Sequence, residues 1–247
     1  MKYLPTLFLV LFATLFISCS ATERLQKKQI GLINNVAFTD SSFDNDNASN
    51  GFLVQYNNQT YGITAKHVLM IAKTDNMQFV DFGDELKQWR MHPKDNASAD
   101  VVMGELLSTN QKDSLTWDYL FNNWETYDDW LVFSVKENTT KHKMLKFRTK
   151  PLAQGEPLYA IGWSYSDTTG TQRVYEYIYQ ETSGNFHNLV QVKGPEKLGG
   201  LSGAPIVDKK GAVVGLVTSG GEDEETKEII LEATSMENVM KFLATLE

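Results

Sequence analysis

Gly199-Gly200-Leu201-Ser202-Gly203-Ala204-Pro205 leads into Ile206-Val207 and then into Val213-Val214-Gly215-Leu216-Val217. The two apolar runs are rich in Val and Ile and read as β-strands. Glycines on both sides of Ser202 permit a tight turn and let another main chain approach it closely. A nucleophilic serine needs such a turn, with backbone N–H groups aimed where negative charge develops. A plain Gly-rich β-turn has the same composition, so the segment is decisive only in company.

Outward from it, short apolar runs broken by polar turns fill the chain from Gln29 onward. Candidate strands are 30–38, 52–56, 61–64, 79–82, 101–107, 130–135, 146–148, 157–162, 174–180, 189–192, 204–207, 212–218 and 228–233. Short strands at turn-punctuated intervals predict an all-β barrel or sandwich. Thr234-Ser235-Met236-Glu237 has the T-x-x-E form of a capping box. Met236, Val239, Met240, Leu243 and Leu246 then share one face of a terminal amphipathic helix. Glu222-Asp223-Glu224-Glu225 reads as an exposed hairpin tip.

The chain has 247 residues, 42% hydrophobic and 22% charged, with a formal net charge of −8. That is an ordinary globular composition, and an acidic chain without a basic stripe argues against nucleic-acid binding. Lys2 precedes the apolar run Leu7-Phe8-Leu9-Val10-Leu11-Phe12-Ala13-Thr14-Leu15-Phe16-Ile17, a secretory signal pattern. The sole cysteine, Cys19, follows it, so no intrachain disulfide is available. Phe16-Ile17-Ser18-Cys19 resembles a bacterial lipobox, which implies a signal peptide over 1–18, lipid on Cys19 and a polar tether over 19–28. Lipidation there implies membrane anchoring in the cell envelope. No cofactor or metal is expected. Asp44-x-Asp46 starts like a calcium loop, but Ala48, Ser49 and Gln55 occupy its fifth, sixth and twelfth positions.

Two further segments carry chemistry. Gly62-Ile63-Thr64-Ala65-Lys66-His67-Val68-Leu69 delivers a histidine at the end of a strand. Asp128-Asp129-Trp130-Leu131-Val132-Phe133 puts acids at the mouth of an apolar strand, where a buried carboxylate can hold an imidazole tautomer.

Together the three segments resemble the trypsin-like (chymotrypsin-fold) serine proteases, and most nearly the bacterial HtrA-type protease domain. Thr64-Ala65-Lys66-His67-Val68, Asp129-Trp130-Leu131-Val132-Phe133 and Gly200-Leu201-Ser202-Gly203-Ala204-Pro205 carry the likeness, in the family's chain order. Leu158-Tyr159-Ala160-Ile161-Gly162-Trp163 is similar to the family's strand before the serine half.

The resemblance implies an all-β fold of two antiparallel six-stranded barrels with a C-terminal α-helix. One protease domain would span 29–247, with barrels at about 29–145 and 146–247, and no PDZ-like domain is expected to follow. It implies a serine endopeptidase with His67, Asp129 and Ser202 as the catalytic set. Gly200 and Ser202 N–H would form the oxyanion hole, and Thr218, Ser219 and Gly220 would bind protein or peptide substrate. Asp100 and Asp128 are rival acids. Leu201 stands where trypsins carry Asp, so the zymogen switch built on that Asp is not expected. The long stretch 108–127 reads as an insertion packed on the barrel, or a lid. The alternative function is a catalytically silent module that keeps the fold and grips peptides or a partner protein.

Overall fold

A computed structural model describes residues 20–167 and 170–246. Cys19 and the apolar run before it lie outside the described residues. In chain order the elements are α1 (Ala21–Gln26), β1 (Leu32–Phe38), β2 (Asn50–Tyr56), β3 (Gln59–Thr64), β4 (Phe79–Val80), β5 (Leu86–His92) and β6 (Val101–Leu106). Then come β7 (Asn110–Ser114), α2 (Trp117–Asn122), β8 (Leu131–Asn138), β9 (Lys146–Phe147), β10 (Pro157–Gly162) and β11 (Arg173–Ser183). The rest are β12 (Phe186–Lys193), β13 (Pro205–Asp208), β14 (Ala212–Glu222), β15 (Ile229–Ser235) and α3 (Glu237–Ala244).

Strands β1, β2, β3, β8, β6 and β5 close in that order into an antiparallel barrel. Strands β13, β10, β11, β12, β15 and β14 form the second, closed by β13 pairing with β14. This is the expected two-barrel, chymotrypsin-like fold. Strand β9 adds to the second sheet, parallel to β14, and β4 pairs with β7 as a separate ribbon. Local chemistry sets the register. Asn57 and Asn58, both at positive φ (44° and 65°), join β2 to β3 with Tyr56 opposite Gln59. Asparagine tolerates that primed hairpin turn better than most residues.

The first barrel is filled by aromatic rings. Trp89 lies 5.0 Å from Phe133 and 5.7 Å from Phe82, centroid to centroid, and its indole N–H donates to Asn34 Oδ1 (3.1 Å). Truncating such a buried aromatic to alanine costs about 3–5 kcal/mol, a large share of the ~5–15 kcal/mol of net stability typical of a domain. Asn34 is wholly buried, and its amide nitrogen reaches Ala48 O, Asn50 O and Thr64 Oγ1. The second barrel packs Leu158, Tyr177, Leu189, Leu201 and Leu231.

Each end of the described residues crosses to the opposite barrel. Helix α1 carries a capping box between Ser20 and Glu23 and buries Leu25. Gln172, just before β11, receives the segment. Its Nε2 donates to Leu25 O and Lys28 O, and its Oε1 accepts from Ile30 N–H (3.0 Å) and Gly31 N–H (2.8 Å). Lys28 Nζ donates to Lys210 O (3.0 Å). At the other end, α3 buries Val239 and Leu243, sets the Phe242 ring at a tilt against Trp130 (5.3 Å between centroids) and donates from Asn238 Nδ2 to Asp128 Oδ1 (2.8 Å).

Two expectations need correction, and one strand lies outside the expected set. The described part of the tether, residues 20–28, is a docked helix and its exit, because Leu25 and Gln172 provide both apolar and polar attachment. Thr234 does not cap α3. Strand β15 runs to Ser235, with Thr234 paired to Leu216, so α3 begins only at Glu237, and Leu246 lies past its end, exposed. Strand β5 went unread because Lys87, Gln88 and Arg90 mask the buried Trp89 and Met91.

The 108–127 insertion packs on the molecule. It contains β7 and α2. Asp113 pairs with the buried Lys66 ammonium and accepts from Tyr119 O–H (2.9 Å). Lys66 also lies 4.0 Å over the Tyr127 ring, and Trp124 stacks on Phe186 of β12 (4.9 Å).

Candidate active site

The register of β3 against β8 assembles the first half of the site. Thr64 faces Leu131 across antiparallel strands. The chain just after Thr64 therefore lies beside the chain just before Leu131, and His67 meets Asp129. His67 sits in the 3₁₀ turn Lys66–Met70. Its main-chain N–H donates to Asp129 Oδ1 (2.8 Å), and Nδ1–H donates to Oδ2 (2.8 Å), the tautomer being fixed by an acceptor-only partner. Asp129 is fully buried, and the nearby Thr218 hydroxyl shares a hydrogen bond with Thr234 Oγ1 (2.7 Å).

Ser202 comes from the loop before β13 and donates Oγ–H to His67 Nε2 (2.7 Å). Leu201, wholly buried in the second core, pins that loop from below. Gly203, at φ +75°, is sterically obligatory. A Cβ there would lie 2.6 Å from Thr64 Oγ1 and closer still to Asn50 O. Gly200, at φ +87°, lies under Tyr165, whose ring would be 2.5 Å from any Cβ.

Main-chain accounting around Ser202 leaves a defined remainder. Gly199 O accepts from Tyr165 N–H, and Leu201 O from Ala204 N–H. Leu201 N–H donates to Leu198 O, and Gly203 N–H to Val217 O. Gly200 N–H and Ser202 N–H have no protein acceptor among the described residues. Two spare N–H groups flanking Leu201, beside Ser202, are suited to a ligand oxygen.

The electrostatics follow from burial and pairing. Burial acts to lower the His67 pKa, but the Asp129 charge and its hydrogen bond more than offset this and hold it above the ordinary imidazole value. Burial acts to raise the Asp129 pKa, and the charge and N–H groups of His67, with the Thr218 hydroxyl, bring it below the ordinary carboxylate value. An ionised acid, an oriented imidazole and an alcohol in line can move a proton off Oγ and back.

The structure thus brings His67, Asp129 and Ser202 together. It sends the rival acids elsewhere: Asp100 pairs with Arg90 (2.9 Å), and Asp128 Oδ1 accepts from Asn185 and Asn238. Of the expected substrate-binding residues, Thr218 is buried. Ser219 O–H donates to Glu232, and Ser219 and Gly220 line a cleft of 660 Å³. Glu196 and Lys197 are exposed. The residues not anticipated are Ser49 and Asn50, which reach the Ser202 loop from the first barrel. Ser49-Asn50-Gly51 reads as loop and strand start, and no local signal marks it.

The fold and site define the class as a two-barrel serine protease. Residues 49–216, more than half of the chain, match the trypsin-like peptidase domain family, and the chain belongs to that family. No curated protein matches the sequence. Among solved structures, the serine endoprotease from Yersinia pestis is similar at 17% identity over 93% of this chain and 67% of its own, with a TM-score of 0.57. The active form of the Rv3671c protease from M. tuberculosis is similar at 13% identity over 90% of this chain and 82% of its own, TM-score 0.56. The inactive form of the Rv3671c protease is similar at 12% identity over 91% of each chain, TM-score 0.54. At these identities the likeness is one of fold, and it does not distinguish active from inactive states.

Proposed function

We propose that the chain is a serine endopeptidase in which Ser202, His67 and Asp129 act as one unit. Ser202 Oγ attacks the peptide carbonyl carbon as its proton passes to His67 Nε2. The C–N bond then breaks as His67 returns that proton to the leaving amine, and water hydrolyses the acyl-enzyme by the same route. Asp129 keeps Nδ1 protonated and stabilises the imidazolium. Gly200 and Ser202 N–H groups receive the oxyanion. On the edge of β14 opposite β15, Val217 exchanges main-chain bonds with Gly203 and Ala204, and beyond it that edge is open among the described residues. Thr218, Ser219 and Gly220 offer that main chain to an extended substrate.

The observation that carries the reading is the continuous hydrogen-bond chain from Asp129 through His67 to Ser202, at 2.8 and 2.7 Å. A fluorophosphonate probe should label the folded protein on Ser202, located by peptide mass mapping. A folded protein that stays unlabelled from pH 6 to 9 points instead to a silent peptide-binding module.

The pH profile has a definite sign. His67 works as a base only when neutral, so kcat/KM should fall as pH drops through its pKa. Because that pKa is raised, the midpoint should lie above the ordinary value of about 6.5. A rate constant flat between pH 5 and 8, or a midpoint below 6, removes His67 from the base role.

The reading extends to location: lipid on Cys19 holds the protease in the cell envelope. The apolar run 7–17 and the Phe16-Ile17-Ser18-Cys19 sequence support it. Radiolabelled palmitate should enter the wild type and not Cys19→Ser. Unlabelled wild type recovered in the soluble fraction excludes the anchor.

A further inference from the structure

The carbonyl groups around Ser202 are held from the other barrel. Asn50 Nδ2 donates to Gly200 O (2.6 Å) and to Trp163 O (2.9 Å), while Asn50 Oδ1 accepts from Trp163 N–H (3.0 Å). Ser49 Oγ reaches Gly200 O (2.8 Å) and Ser202 O (2.9 Å), and Asn50 N–H donates to Ser202 O (3.0 Å). Ser49 and Asn50 are both buried. Ser49 adopts φ +66°, a left-handed conformation costly for a residue with a side chain. Beneath them, Asn50 O accepts from Thr64 Oγ1–H (2.7 Å), and Asn34 ties Asn50 and Thr64 to Trp89.

The effect on the loop follows from peptide planarity. In a trans peptide the C=O and N–H point in opposite directions. The Gly200–Leu201 and Ser202–Gly203 peptides are bound at both ends, to Asn50 and Ser49 through oxygen and to Leu198 and Val217 through nitrogen. They bracket the Leu201–Ser202 peptide, and Gly199–Gly200 precedes them. The two spare N–H groups belong to those last two peptides. Their direction is therefore set by the bracketing planes.

We propose that Asn50, assisted by Ser49, is a positioning residue for the oxyanion hole: it fixes the planes that aim Gly200 N–H and Ser202 N–H. It touches no reacting atom, and it rests on the protease reading above. A donor placed in advance acts on the transition state, where charge appears on oxygen, more than on bound substrate. The signature is a fall in kcat with KM little changed.

The test uses the full chain as wild type, Asn50→Ala, Asn50→Asp and Ser49→Ala. Each is measured for kcat and KM on a chromogenic peptide, for fluorophosphonate labelling rate and for inhibition by a peptide aldehyde against the same peptide carboxamide. The aldehyde forms a tetrahedral adduct with Oγ; the carboxamide does not. Asn50→Ala should lower kcat and labelling rate by about 10- to 100-fold, short of the ~10²–10³ for deleting a donor outright. Aldehyde inhibition should weaken in parallel while carboxamide binding and the pH midpoint hold. Asn50→Asp, which sets a carboxylate oxygen against Gly200 O, should be the more damaged variant, and Ser49→Ala the milder.

A folded Asn50→Ala with wild-type kcat and labelling overturns the proposal. So does a loss shared equally by KM, carboxamide binding and the pH midpoint, which is general disruption. Should the Asn50 variants not fold, the Ser49→Ala split decides in the same terms. A wild type that fails to label overturns the protease reading itself and this inference with it.

Discussion

Replacing Ser202 with alanine is expected to lower kcat by about 10⁶-fold, the loss seen when the nucleophile of such a unit is removed. The fold should survive. Ser202 Oγ is only partly buried, and its hydrogen bond is the one to His67 Nε2. The loop is held by Leu201, by the Ser49–Asn50 contacts and by Gly203, none of which uses that oxygen. Substrate affinity should change little, because Oγ gains its contact only as the carbonyl is attacked. Thermal midpoint, KM-like binding of a carboxamide peptide and residual rate check this together. A variant that keeps more than about a thousandth of wild-type kcat is too active for a lost nucleophile.

The second large effect is expected for Asp129→Asn, at about 10⁴-fold in kcat. Asp129 accepts from two donors of His67, its main-chain N–H on Oδ1 and its Nδ1–H on Oδ2. An amide offers only one oxygen. Turning its NH₂ toward the His67 main-chain N–H sets donor against donor. The acceptable orientation points NH₂ at Nδ1, which makes Nδ1 an acceptor and moves the proton to Nε2. His67 then has no lone pair for Ser202. The ¹⁵N shifts of the imidazole should exchange between the two ring nitrogens, and an unchanged tautomer with wild-type kcat would remove Asp129 from its role.

Stability should move oppositely to activity. The raised His67 pKa gives stabilisation that is full below about pH 6.5 and lost as pH rises through the folded value. The lowered Asp129 pKa gives stabilisation present above about pH 3.9 and lost as pH falls through the folded value. The deficit of Asp129→Asn should therefore be greatest near pH 5, where the pair is ionised and the enzyme least active.

What could be read from sequence was what local chemistry dictates. The Thr64–Val68 and Gly200–Pro205 segments were legible because a tight turn needs glycine at fixed offsets and a strand end is marked by its own residues. The choice of Asp129 over Asp100 and Asp128 was not local. It depends on Thr64 facing Leu131, a pairing between strands 67 positions apart. The pattern S/T-x-x-E has opposite outcomes near the two ends of the fold. At Ser20–Glu23 it caps a helix in a segment read as a tether, because one leucine is too little apolar signal. At Thr234–Glu237 a neighbouring strand claims the threonine first. Asn50 and Ser49 left no trace in the sequence, since their partners lie more than a hundred positions away.

Helix α1 bears on reach. A free segment of about ten residues extends roughly 3.3–3.6 Å per residue and would let a lipid-held enzyme sample a shell of solvent above the bilayer. Here Ser20 already caps a helix secured to the second barrel through Leu25, Gln26 and Lys28. On the proposed anchoring, acyl chains and catalytic body are separated by almost no slack. The cleft would ride at one height and one tilt, and would cut only what comes to the membrane surface at that level.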